Sequence, residues 1–476
     1  MVLSRLLGGA TDRARGQGPQ RRGDGEDGFA LYPPRSASGL DPEHRADFAR
    51  RLEAFRAKHA LLDDHARRGC LQIFDLDDVR QRFAARWPGV REKAYQIVEG
   101  TLNKRLGAGD LYVAVAPHLV YVLTSGPLRN EAETRGRLIA ADVTARLCGT
   151  VPGGVAIRVK TLLFDFTAGL QGIASLPQLV ERVEAFNRRI DEAERALFDA
   201  HADRLRLRYR PMVARARRTI VAYRGEAFVE GEVAEHAVMD FLDPGREPDE
   251  RQAATGDDPP PGEATPAAKT PLRPAGLLCP HSVNGVFDAR LDTWSLAAAA
   301  DHLMQQGAVD RRALVSVPLH GETLATTALR ERFLEVCRRL PESVRESLCL
   351  EVVGLSPALA PARSEELLAH LRPWCARIVV HLVPAAPHAE HLRSAGAHAL
   401  ALTLPERAGE DEATAAIDAF VREARDVRLP TVLTNARSKH LLHHAWKAGV
   451  DLLGGDALTP TLARPGARMT LDAPQD

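Results

Sequence analysis

From Arg204 onward the chain repeats one pattern: a short run of β-branched and aliphatic residues, a loop, a helical stretch, then another apolar run. The runs are "RLRYRPMV", "TIVAY", "ALVSVPL", "LCLEVVGL", "ARIVVHLV", "ALALTL", "PTVLTN" and "DLLGG". Between them lie helical segments such as "TWSLAAAADHLMQQ", "LRERFLEVCRRL", "SEELLAHLRPW" and "SKHLLHHAWKAG". Parallel strands need a long crossover, ordinarily a helix, and repeated βα units of this length favour a closed barrel over a sandwich. The pattern therefore predicts an α/β fold, a TIM-like (β/α) barrel, over 204–465. One interruption, at about 240–276, is dense in Pro, Gly and charge and is expected to be a disordered insertion.

The first half reads differently. Residues 1–40 are rich in Gly, Arg, Asp and Pro without periodicity and are expected to be disordered. An amphipathic helix is expected within 41–69, with Asp41 as N-cap, Pro42 as first helical residue and Phe48, Leu52, Phe55 and Leu61 at helical spacing. Over 70–203 come a strand ("CLQIF"), helices, a hairpin in "DLYVAVAPHLVYVLTSG", a helix and a strand ("GVAIRVKTLLFD"), which suggest an α+β sandwich. A long helix closes this half, with Leu176, Leu179, Val183, Phe186, Ile190 and Leu197 on one stripe. The stripe is short for a coiled coil and is read as packing on its own domain. Residues 466–476 are a tail.

Composition narrows the function classes. With Lys+Arg and Asp+Glu both at 63, no excess charge draws the whole chain to nucleic acid or an anionic membrane. No run approaches the ~18 apolar residues of a membrane helix, so a cytoplasmic protein is expected. The six cysteines, Cys70, Cys148, Cys279, Cys337, Cys349 and Cys375, form no C-x-x-C pair and are expected to be reduced. No Walker, Rossmann, G-x-S-x-G or C-x-x-C motif occurs. His388 and His391, and His440, His443 and His444, have spacings that could share a metal on a helix face, but zinc needs three or four converging ligands. Ordinary half-buried or surface histidines fit better.

Certain pieces resemble a known family. "RYRPMVARARRTIVAYR" as an opening hairpin, "LDTWSLAAAADHL" as a first major helix, "VSVPLHGETL", "LCLEVVGL" and "KAGVDLLGGDALTP" resemble, in order and spacing over 204–465, the EAL domain of bacterial cyclic di-GMP phosphodiesterases. The first half is similar to a degenerate GGDEF domain, a ferredoxin-like or cyclase-like fold. The resemblance implies metal held at strand C-termini by carboxylates and an Asn, because hard cations need several oxygen ligands and the attacking water must lose a proton.

Position by position, this chain departs from that pattern. The first-motif glutamate falls at Arg224, and the strand-end Asn at Pro318. Glu351 is retained, but its partner is Gly354. The paired aspartates fall at His381 and Leu382, and the next lysine and aspartate at Ala401 and Thr403. The later glutamate falls at Thr434, the glutamine at Gly454, and the phosphate-binding arginine near Phe228. Glu226 is read as a solvated residue beyond the strand. In the first half Val115, Ala116, Pro117, His118 and Leu119 occupy the Gly-Gly-Asp-Glu-Phe turn. Asp75 and Asp77 of "FDLDD" are possible ligands, though a helix cap is the plainer reading.

The sequence thus points to a catalytically inactive EAL-type regulator with no catalytic residue, metal or cofactor, acting through an unknown protein partner, with a homodimer as an option. The alternatives are a non-catalytic cyclic di-GMP receptor or an active phosphodiesterase; nucleotide binding and nucleic-acid binding are not expected.

Overall fold

The structure is a computed structural model. It describes residues 50, 52–57, 68–106, 110–116, 118–125, 129–148, 157–165, 170–173, 175–231, 272–279, 282, 284–306, 313–355, 361–382, 389–404 and 408–470. The expectations for 1–40, for most of the helix in 41–69 and for 240–271 fall outside these residues; 52–57 are helical. The chain divides into two compact units, with the main boundary between Asn187 and Arg188 inside the long helix, where the sequence pattern set it at 203/204.

The first unit contains β1 (Arg68–Asp75), α1 (Asp77–Phe83), α2 (Trp87–Arg105), β2 (Leu111–Ala116), β3 (Leu119–Ser125), α3 (Arg129–Cys148), β4 (Arg158–Asp165) and the first part of α4 (Leu176–His201). The sheet order is β2-β3-β1-β4, all antiparallel, the βαββαβ arrangement expected of a ferredoxin-like domain. β1 can be central because it offers apolar residues along its length and is paired on both edges. Phe74, Tyr112, Val120 and Val122 join Tyr95, Val98 and Leu102 of α2 and Ile139 and Val143 of α3 in one core. Asp75 Oδ1 accepts the Asp77 backbone N–H at 2.8 Å, and Asp77 pairs with Arg80 within α1, so this acidic pair serves a helix start.

The second unit opens with the rest of α4 and the hairpin β5 (Leu205–Ala214) and β6 (Thr219–Glu230). β7 (Leu272–Pro274), α5 (Val286–Gln305), β8 (Leu314–His320), α6 (Gly321–Ala325), α7 (Thr327–Arg339), α8 (Glu342–Arg345) and β9 (Leu348–Val353) follow. Then come α9 (Pro361–Ala369), β10 (Arg377–His381), α10 (Ala389–Ser394), β11 (Ala399–Leu402), α11 (Glu410–Val427), β12 (Thr431–Leu433), α12 (Lys439–Ala448), β13 (Leu452–Leu453) and β14 (Met469–Thr470). Strands β8 to β13 pair in parallel and β6 joins β8 in parallel. Antiparallel β5 bridges β6 and β13, which closes an eight-stranded TIM-like barrel.

Two boundaries are corrected. Residues 272–276, placed in the insertion, include β7, whose Leu272 pairs with Glu230; residues 469–470, placed in the tail, pair with Ile220 and Thr219. In both cases an open stretch of β6 edge offers backbone groups that these short strands satisfy, and composition alone does not reveal such pairing.

Met212, Ala222, Leu314, Cys349, Val379, Ala399, Ala401, Val432 and Leu452 form one cluster to which all eight barrel strands contribute. Only the lumen is reachable from every strand, so this is the packed barrel interior. Outside, α11 buries Ala413, Ile417, Phe420, Val421 and Ala424, a stripe at helical spacing. Each such large apolar side chain contributes roughly 1.5–3 kcal/mol on full burial. In α4, Leu176, Leu179, Val183 and Ile190 are buried, but Ile190 and Leu197 belong to the second unit and Leu197 packs on a core there, so the expectation that the whole stripe packs on the first domain is corrected for its C-terminal end.

Candidate functional site: a polar tier at the strand ends

Strand C-termini of a (β/α) barrel converge on one end, so polar side chains there meet each other. Here they form a continuous chain. Glu351 of β9, 2% exposed, accepts Arg224 Nε at 2.7 Å and His381 Nε2 at 3.2 Å on Oε2, and Ser316 Oγ at 2.5 Å on Oε1. Arg224 of β6 also donates to Glu226 Oε1 at 2.8 Å. Glu226 in turn receives both arms of Arg210 from β5, Nε and Nη2 each at 2.9 Å, and Arg210 Nη1 reaches Asp456 Oδ1 at 2.6 Å. On the other side His381 Nδ1 lies 3.0 Å from Thr403 Oγ1, which lies 2.9 Å from Thr434 Oγ1.

The reading of Glu226 as a solvated residue is corrected: it lies within β6, largely shielded, and holds two arginines. The reason is register. Across the β5–β6 ladder Arg210 stands opposite Arg224, and Arg208 opposite Glu226. Residues two apart on a strand share a face, so Arg224 and Glu226 point the same way. Arg210, opposite Arg224 on that face, reaches Glu226 diagonally, which leaves Glu226 between the two arginines.

Electrostatics follow. Burial alone would raise the Glu351 carboxyl, but the Arg224 guanidinium outweighs it, helped by His381 and Ser316, and holds it well below the usual carboxylate range. Burial would lower Arg224, and Glu351 and Glu226 overcome that and raise it. The pair is therefore charged on both sides.

These residues do not fit the divalent-metal site that the resemblance implies. Glu351 spends both oxygens on Arg224, His381 and Ser316, and Glu226 spends both on arginines. The Arg224 cation occupies the space between two carboxylates, where a metal would face direct repulsion. Pro318 stands opposite Glu351 in the β8–β9 register and offers no side-chain oxygen. Gly354 follows β9 with φ +70, a conformation suited to glycine, and its carbonyl lies where a side chain on Gly321 would fall. Ala401 is buried in the lumen, and a side chain on Gly454 would collide with Met212.

Of the sequence-derived positions, the structure brings Arg224, Glu351, His381, Thr403 and Thr434 into one network and leaves Pro318 and Gly354 beside it. Arg210, Ser316 and Asp456 were not singled out. "RLRYRPMV" carries three arginines, Arg206, Arg208 and Arg210, and only the last is buried, so the run signals a buried cation in need of a paired acid without saying which arginine it is.

A second cluster lies at the end of β8. Asp292 of α5, 2% exposed, accepts the His320 backbone N–H at 2.9 Å, His320 Nδ1 at 2.7 Å and Thr323 Oγ1 at 2.7 Å. Burial would lower the His320 imidazole, but Asp292, with Asp288, raises it to about 9. Asp288 is pushed up to about 6, mainly by burial. Nearby, the buried Glu194 of α4 accepts the backbone N–H groups of Asn284, Val286 and Phe287 and the Ser282 hydroxyl, and so caps α5. Elsewhere His444 pairs with Asp418 and His440 with Glu410, while His443 is exposed and His391 half-buried; His388 is outside the described residues. Among the described residues no group of three metal-capable side chains occurs. No helix among them is long and apolar enough to cross a membrane.

The fold and site thus define a (β/α) barrel whose strand ends carry an ion-paired tier, joined in one chain to a ferredoxin-like unit. No family model matches this chain, and no curated protein matches it. It is similar to several solved structures. Over 87% of this chain and 95% of the other, it is similar to the S helix-GGDEF-EAL portion of Vibrio cholerae LapD bound to c-di-GMP, at 9% identity and TM-score 0.44. Over 54% of this chain it is similar to the PaMucR phosphodiesterase in its c-di-GMP complex, covering 97% of that chain at 17% identity and TM-score 0.39. The EAL domain of Pseudomonas aeruginosa FimX bound to c-di-GMP is matched over 98% of its length and 58% of this chain, at 12% identity and TM-score 0.39.

Proposed function

We propose that this chain is a catalytically inactive EAL-type regulator, which acts by contacting a protein partner. One observation carries the reading: Arg224 is salt-bridged to Glu351, the retained carboxylate of the expected metal set. Metal-assisted hydrolysis needs a cation that lowers the pKa of a bound water and open positions for that water and the substrate. A guanidinium cannot coordinate water, and it engages the carboxylate that would hold the metal. The same substitutions bear on nucleotide binding, since Phe228 stands near the arginine position that the resemblance assigns to phosphate contact.

The test is hydrolysis of cyclic di-GMP by the full chain with Mg²⁺ and then Mn²⁺, with calorimetric titration of the same nucleotide alongside. No turnover and flat heats from folded protein are expected. Metal-dependent turnover that Glu351→Ala abolishes would overturn the reading. Saturable heat without turnover would replace it with a receptor.

A further inference from the structure

At the opposite end of the barrel, where the strands begin, the chain places a set of arginines. Arg217 and Arg218 occupy the β5–β6 turn, Arg377 begins β10, Arg393 ends α10 before β11, and Arg425 and Arg428 lie at the end of α11 before β12. All six are exposed, and none is in an ion pair among the described residues. Elsewhere in the same unit arginines are commonly paired, as Arg206 is with Glu230 and Arg290 with Asp199. β5, β13, β12, β11 and β10 are consecutive neighbours in the barrel wall, so these side chains follow an arc of about 20 Å at the usual inter-strand spacing. Asp451 and Asp426 interrupt the arc: the Asp451 carboxylate already accepts the Thr431 N–H and hydroxyl, and the exposed Asp426 lies between Arg425 and Arg428 in the chain, so the face carries six arginines against these two acids.

Part of this pattern has an internal explanation. Arg425 donates to the Ala448 carbonyl and Arg393 reaches the Val427 carbonyl, and cations at helix C-termini complement the helix dipole. That does not account for Arg218 and Arg428. Both have left-handed backbone, φ +47 and +54, and with Ala84 they are the non-glycine residues with positive φ among the described residues. Arg428 occupies the C-cap of α11, a position where glycine is the usual relief, and Arg218 ends a hairpin turn. Strain kept at two places on one face, in both cases to present an unpaired guanidinium, points to use of that face. The local field is also visible at His398, which burial, then Arg377 and Arg372, push below its ordinary value.

We propose that this face of the barrel docks an acidic polypeptide segment of a partner protein, with the arginine forks taking its carboxylates. Arginine is suited to this because its planar fork meets a carboxylate bidentately. A nucleic acid fits less well: single strands are held largely by stacking on aromatic side chains, and no Phe, Tyr or Trp is exposed on this face among the described residues. The zero net charge of the chain hides the feature, because residues 232–271 alone carry ten Asp and Glu against three Arg and Lys. This face is remote from the polar tier, so its test is separate from the nucleotide assays.

The experiment is titration of the full chain against a dye-labelled peptide of alternating Asp and Glu, read by anisotropy at low and physiological salt, with a single-stranded RNA oligonucleotide in parallel. Saturable peptide binding that weakens with salt is expected, and Arg218→Gly with Arg428→Gly should weaken it by about tenfold or more while the melting temperature holds or rises. Arg206→Ala, at the other end of the barrel, should leave it unchanged. Absent peptide binding, equal binding by the folded glycine variant, or tighter binding of the RNA through the same arginines would each overturn the proposal.

Discussion

Replacing Arg224 by methionine tests whether the polar tier is held by charge pairing. Methionine keeps much of the side-chain volume and removes the guanidinium, which leaves Glu351 buried with only Ser316 and His381 as partners. Removing one member of a buried pair costs roughly 3–5 kcal/mol, because the remaining charge has lost its compensation. Glu226 suffers less, since both arms of Arg210 stay in place. In a domain of this size the loss corresponds to a drop of about 6–20 °C in melting temperature. The double variant Arg224→Met with Glu351→Leu removes both charges, and an apolar pair in place of a buried ion pair is often neutral or stabilising. It should recover most of the loss, short of about 1 kcal/mol for each hydrogen bond that Ser316 and His381 forfeit. Urea unfolding of the wild type, both single variants and the double variant gives the coupling directly. The single Arg224→Met loss should also shrink toward acid pH, where Glu351, freed from the guanidinium that depresses it, takes up a proton. A loss under about 0.5 kcal/mol for Arg224→Met, the usual range of surface substitutions, would refute the reasoning, as would a double variant no more stable than the single ones.

The Asp292–His320–Asp288 cluster makes stability depend on pH. His320 binds its proton more tightly folded than unfolded, so its contribution is fully present below 6.5 and is lost as pH rises through about 9. Asp288 is also raised, so its contribution is present below 3.8 and is lost as pH rises through about 6. Melting temperature measured from pH 5 to pH 10 should fall in the wild type and lose its alkaline limb in His320→Gln, and an unchanged alkaline limb would count against the pairing. Glu194→Ala removes an acceptor from three backbone N–H groups and a hydroxyl at the start of α5 and should cost at least ~1–3 kcal/mol. Urea unfolding measures it, and a neutral result would show that water satisfies those groups.

The barrel was legible because its runs and helices alternate with a period no sandwich needs, and the ferredoxin-like unit because its hairpin falls between two helices. The tier was legible only in outline. Reading motif positions one at a time identifies Arg224 as a cation where acids are expected, and Glu351 as a retained acid, without revealing that they bond to each other. Glu226 shows why. Its partner Arg210 comes from the facing strand, and the register that joins them is set across a β-bulge at Met212 and Val213. A shift of one residue would have turned Glu226 to the opposite face, and nothing local in "YRGEAF" fixes that choice. Unit boundaries were missed for a similar reason: Glu194 belongs to the second unit through bonds to residues about ninety positions away.

The pairing of Glu230 with Leu272 has a consequence for how such a protein can change. The chain leaves β6 after Glu230 and returns at Leu272 to pair with that same residue alongside the barrel wall, so both ends of the intervening stretch are held on β6. Doubling the length of a flexible excursion costs only about 0.6 kcal/mol in closure entropy. The barrel is thus nearly indifferent to the size of what is carried there, and that point on its rim can gain, lose or exchange a whole module without any strand having to move.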